Sequence, residues 1–187
     1  MDSKKYLAHY MEFSNKYTGK LNKYGGFPTH LPPQWPEDDV FGEWTFLCQF
    51  YCDGKLLSIP DTLCIQIYQL IDDDMASSDP VVVQVPFGAK ENTKRCGISA
   101  NKIPEGDILF SEVVEEITEK NNIELEDKNG VFLQASKFGG WCPADEIRDK
   151  KFLGMISDGD AFSPFNWGGV DLFMFLDEEN QVKWDFY

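Results

Sequence analysis

A diglycine corner that occurs twice is the feature that most constrains this chain. The first copy reads Lys23-Tyr24-Gly25-Gly26-Phe27-Pro28, the second Lys137-Phe138-Gly139-Gly140-Trp141-Cys142-Pro143. Each puts a Lys and an aromatic before the glycines, and another aromatic and a Pro after them. Each is followed by a Phe-Leu pair, Phe46-Leu47 and Phe152-Leu153, and then by a β-type run, 63–68 and 170–175. Self-similarity of this kind marks a duplicated architecture. We expect one domain over 1–187, with pseudo-repeats at about 20–87 and 131–187 joined by 88–130. A chain of this length buries roughly 70% of its unfolded surface.

The spacing predicts an α+β fold, mostly antiparallel sheet from two related halves, with a few short helices. Tyr6, Leu7, Tyr10, Met11 and Phe13 suit a helix capped by Ser3 and ended by Gly19. Phe110, Val113, Val114 and Ile117 keep the i, i+3, i+4, i+7 rhythm, with Glu112, Glu115, Glu116 and Glu119 on the opposite, solvated side. Strands are expected at 44–51, 63–71, 81–87 and 131–135, and a closing hairpin at 170–176 and 182–187. Prolines 28, 32, 33 and 36 forbid regular structure between the first corner and the first strand.

Lys and Arg number 17 against 32 Asp and Glu, a net charge of −15. Such a surface repels nucleic acid and anionic membranes and draws basic partners. No apolar run approaches the 18 or so residues that cross a bilayer. Cys48, Cys52, Cys64, Cys96 and Cys142 form no CxxC pair, and no secretory leader is evident. They are expected to be reduced thiols of a cytoplasmic protein.

Catalytic material is sparse. The 2 histidines are His9, in the expected helix, and His30, in the proline-rich loop. A nucleophilic site needs one of them beside a thiol or hydroxyl; His30 near Cys48 or Cys52 is the available pairing. The His and Cys spacings make no zinc site. Asp72-Asp73-Asp74 and Asp158-Gly159-Asp160 read as solvated turns rather than cation loops. The diglycines lack the strand and helix context of a phosphate cradle, so they read as corners. No cofactor and no metal is expected, and the balance leans away from an enzyme.

Loop aromatics remain. Trp35, Phe41 and Trp44 in front, and Phe162, Phe165 and Trp167 behind, either plug a core or anchor a partner. With Asp158 and Asp160, they would grip a basic protein by charge and hold it by ring contacts. The alternative is a ligand or enzyme pocket between the halves, lined by Trp35, Trp44, Trp141 and Trp167.

The corners, the 31–36 segment Leu31-Pro32…Trp35-Pro36, Phe46-Leu47-Cys48-Gln49, Ser136-Lys137-Phe138-Gly139-Gly140-Trp141, and the late block Asn166-Trp167-Gly168-Gly169-Val170-Asp171-Leu172-Phe173-Met174-Phe175 resemble the YwqG-like family. That is a group of largely uncharacterised bacterial proteins. The resemblance spans residue 23 to the end and implies a duplicated β-rich fold without a settled activity. Members are associated with toxin loci, which implies an immunity or inhibitor role. This chain departs from the pattern at Gly154-Met155, where a second Gln is usual, and at Cys142, which delays Pro143 by one place.

Overall fold

The computed structural model describes residues 3–36, 43–72, 75–76, 79–95, 103–118, 126–148, 150–158, 165, 167 and 169–187. Among these the chain is almost wholly β. Its elements are β1 (Lys4–Phe13), β2 (Lys23–Tyr24), β3 (Glu43–Tyr51), β4 (Thr62–Asp72), β5 (Met75–Ala76), β6 (Val81–Pro86), β7 (Gly106–Ile117), β8 (Lys137–Gly139), β9 (Lys151–Ile156), β10 (Leu172–Leu176) and β11 (Val182–Phe186). The described residues hold one 3-10 turn, Asp145–Ile147, and no α-helix.

The expected α+β class is therefore wrong, and both expected helices are strands. In each, helical and extended spacings coincide. Residues four apart share a face in a helix and equally in a strand. Tyr6, Ala8 and Tyr10 line one side of β1, with Tyr6 against Ile117, Leu133 and Trp141. In β7 the extended backbone separates Val113 from Val114, leaves Val114 exposed, and turns Glu115 inward to 0% exposure. β-branched Ile108, Val113, Val114 and Ile117 are stiff and favour a pleated surface once neighbours are available. The strand expected at 131–135 also fails. Phe132 makes only an isolated bridge to Glu126, and the strand begins at Lys137.

The chain divides into two compact units. The front unit is Phe13–Leu109 with Pro164–Trp167; the rear unit is Met1–Glu12, Phe110–Ser163 and Gly168–Tyr187. In the front unit the strand order is β7-β2-β3-β4, with β5 and β6 both antiparallel to β4. In the rear unit it is β7-β1-β8-β9-β10-β11.

The registers of the two units run in step. Lys23 pairs with Gln49 and Tyr24 with Cys48; Lys137 pairs with Met155 and Phe138 with Gly154. In the front, Phe46 faces Tyr68 and Cys48 faces Ile67, so Leu47 is a bulge. In the rear, Phe152 faces Phe175 and Gly154 faces Met174, so Leu153 is a bulge. The Phe-Leu pair thus marks a bulge in both halves, where one strand carries an extra residue and bends.

Candidate functional site

Each corner turns on a buried lysine. In the rear unit Lys137 and Glu115 are both 0% exposed, with Nζ 2.5 Å from Oε1. Tyr10 donates its hydroxyl to the same oxygen at 2.6 Å, and the Trp141 N–H donates to Oε2 at 2.5 Å. Burial pushes the Lys137 ammonium below its usual value, although Glu115 opposes that shift. The second glycine leaves room for the acid: a Cβ on Gly140 would sit 2.7 Å from Glu115 Oε2. One cation meets one carboxylate, and the set is closed.

In the front unit Lys23 bonds Glu105, and a Cβ on Gly26 would meet the Glu105 side chain at 2.6 Å. Here a second cation joins. Arg95 Nη2 lies 2.8 Å from Glu105 Oε2, with its guanidinium over the Phe27 ring. Burial raises the Glu105 pKa, but the bonds from Lys23 and Arg95 outweigh it and hold the acid below its ordinary value.

Unlike the rear pair, this one borders a cleft of about 260 Å³ within the front unit. Lys23, Tyr17, Phe27, His30, Asn92 and Arg95 are among its walls. Lys23 is 2% exposed and forms its floor; Glu91 also lines it and is exposed at the rim.

A hydrogen-bond chain runs from Gln49 to His30. Gln49 Oε1 accepts the Thr29 N–H at 2.9 Å, which fixes the amide orientation. Its Nε2 then donates to the Leu21 carbonyl and to Thr29 Oγ1 at 2.6 and 2.8 Å. Thr29 Oγ1 and Tyr51 Oη share a hydrogen bond at 2.6 Å, and Tyr51 Oη shares another with His30 Nδ1 at 2.5 Å. In the tautomer with Tyr51 as the donor, Nδ1 accepts and the ring N–H is on Nε2. Burial pushes the Tyr51 phenol up to about 12, so it keeps its proton at neutral pH. Gln66 completes the set, donating to the His30 carbonyl at 2.8 Å and accepting from Tyr68 at 2.7 Å.

The rear unit shows what these positions look like without that chemistry. By register Met155 stands where Gln49 does, and Phe173 where Gln66 does. Counting from the corners, Pro143 stands for Thr29 and Ala144 for His30. A proline has no N–H to satisfy, so the partner amide is dispensable and methionine fills the space. Cys142, Ala144, Met155 and Phe173 there belong to an apolar core.

The expected site residues fare differently. Trp44, Trp141, Phe165 and Trp167 are each less than one tenth exposed. Trp44 packs with Phe46, Tyr68 and Leu70, and half-buried Trp35 lies against the same cluster. Trp167 stacks on Phe165 and donates Nε1 to Gln69 at 2.7 Å. Arg148 covers the Trp141 ring. Trp44, Trp141, Phe165 and Trp167 are thus core rings. Asp158 caps its own loop, accepting the Gly169 N–H at 2.7 Å. Phe41, Asp160 and Phe162 lie outside the described residues, as does Cys96.

Cys48, Cys52, Cys64 and Cys142 are free thiols. Burial raises the pKa of each, Cys52 to about 11 and Cys64 to about 12, which makes them poor nucleophiles for His30 to activate. His9 is buried on β1. Among the described residues no group of acids, histidines and thiols suits a metal ion, and no helix is long and apolar enough to cross a membrane.

Sequence reasoning missed Lys23, Glu105, Arg95, Tyr51 and Glu115. Lys23 and Lys137 were visible as repeated lysines, and a repeated lysine beside a corner signals a buried partner. The partners themselves are far along the chain and carry no local signature. No protein-family model and no curated protein matches the chain.

Proposed function

We propose that this chain is a non-enzymatic binding protein whose site is the front cleft, where it holds a small ligand. One observation carries the reading. At matched positions the rear unit uses Pro143, Ala144 and Met155, while the front unit uses Thr29, His30 and Gln49. Buried polar groups cost stability unless fully paired, and apolar replacements of similar volume are often neutral or better. The corner does not need the polar set; a ligand at the cleft does.

The test is a fragment screen by amide chemical-shift mapping on the intact chain. The reading expects hits that shift residues 27–31 and 91–95 together and that vanish in His30→Ala. A screen whose hits scatter over other surfaces, or that leaves the cleft untouched, contradicts it.

A second reading rests on the net charge of −15. It makes the protein a cytoplasmic member of the YwqG-like family that neutralises a basic toxin or effector. With Trp44, Trp141, Phe165 and Trp167 buried, such a grip would depend on charge more than on these rings. Association would then slow steeply between 0.05 and 0.5 M salt, on the order of the decades expected for steered encounters. A partner of low pI, or binding indifferent to salt, counts against it.

A further inference from the structure

We infer that the ligand of the front cleft is a small carboxylate, bound through the spare N–H donors of Lys23 and Arg95 and the Nε2–H of His30. The inference rests on the binding reading above and adds the chemical class. The two corners differ in their ionic balance. The rear pairs one lysine with one acid, and its carboxylate is saturated by Tyr10, Lys137 and the Trp141 N–H. In front, Lys23 and Arg95 share Glu105. A lysine has three N–H donors and an arginine five. Lys23 uses one on Glu105 and turns toward the Tyr17 ring at 4.8 Å, while Arg95 uses Nη2 on the same acid.

The ordering by depth points the same way. The ammonium of Lys23 lies on the floor, at 2% exposure, whereas the cleft's own acid, Glu91, is exposed to water at the rim. Asn92 is held by the fold, its Nδ2 donating to the Pro28 carbonyl at 3.0 Å and its backbone N–H to the Thr29 carbonyl at 2.8 Å. With Tyr51 donating to Nδ1, the His30–Tyr51–Thr29–Gln49 chain ends in an imidazole Nε2–H. Donors thus line the cleft from the buried Lys23 to the exposed Arg95, two of them on cations. Charge-assisted bonds from such donors to a carboxylate are the strong ones, and the guanidinium fork matches its two oxygens. Phe27, Tyr17 and Leu21 supply apolar walls for the rest of the molecule.

The probes are phenylacetate, its neutral isostere phenylacetamide, and 2-phenylethylamine, titrated by NMR into the intact chain. Phenylacetate is expected to shift the cleft amides and to bind at least tenfold more tightly than phenylacetamide. The Arg95 side chain is 57% exposed, so Arg95→Gln keeps the fold and should remove that preference; Glu91→Gln should keep or strengthen it. If the amide or the amine binds the cleft as well as the acid does, the carboxylate class falls while the cleft remains a binding site. If none of the three perturbs the cleft, the inference is overturned, and the fragment screen then decides the broader reading. If phenylacetate binds and Arg95→Gln leaves its preference intact, the assignment to these donors is overturned.

Discussion

A single methyl group decides whether either corner can form. At position 140 the backbone has φ of +76° and a Cβ would press on Ala8 and on Glu115. Gly54 has a similar φ, +78°, but open space around it. Gly54→Ala should therefore cost about 1 kcal/mol for the left-handed backbone alone. Gly140→Ala adds a clash with a buried ion pair and should cost roughly 3 kcal/mol or more. Urea unfolding of the two variants separates the contributions; equal losses would mean that the acid moves aside freely. The lysines obey the same logic. Lys23 and Lys137 stand two residues before their first glycines, on strands of two or three residues, and each bonds the acid behind the turn.

At the scale of elements, the legible part of the fold was the short apolar runs bounded by turns. β3, β4, β6, β10 and β11 were readable from alternation and from the Asp177–Asn180 turn, in which Asp177 accepts backbone N–H groups. β1 and β7 were not, because their i, i+4 pairs satisfy both periods and only sheet neighbours distinguish them. Glu115 shows the consequence. Read on a helix it joined a solvated acidic face; on a strand its neighbours alternate, and it is buried. The corner repeat was legible, and so was the departure at Met155 and Pro143. Its meaning, a lost amide partner and a lost N–H, needed the register.

The elements also set the pH response. Glu105 is held below its ordinary value, so its contribution is complete above that value and is lost as pH falls through the lower folded one. Lys23 and Lys137 are lowered mainly by burial. Between the folded value and the ordinary lysine value the unfolded chain binds more protons, so these two raise stability as pH rises. Tyr10, Tyr24, Tyr51 and Tyr68 are raised by burial, and above their ordinary value of 10.0 the unfolded chain loses protons first, which lowers stability. The tyrosines should prevail, so the urea midpoint should fall above about pH 10 and fall again in acid. A midpoint that still climbs at pH 11 would show that the lysines dominate.

For the whole molecule, the central claim is that two similarly wound units have diverged, one keeping an apolar centre and the other a polar cleft. The rear unit serves as the control for the front one, since the same register holds Met155 in place of Gln49. A net charge of −15 lies over both, so a cleft floored by Lys23 is a local reversal within an acidic chain. The most direct measurement is the unfolding free energy of the triple variant Thr29→Pro, His30→Ala, Gln49→Met, which gives the front corner the rear's residues. If the polar set serves a ligand, the variant should match the parent within about 1 kcal/mol, or exceed it, while losing the cleft's fragment hits. A loss of about 3 kcal/mol or more would make the network a structural requirement and would contradict the claim.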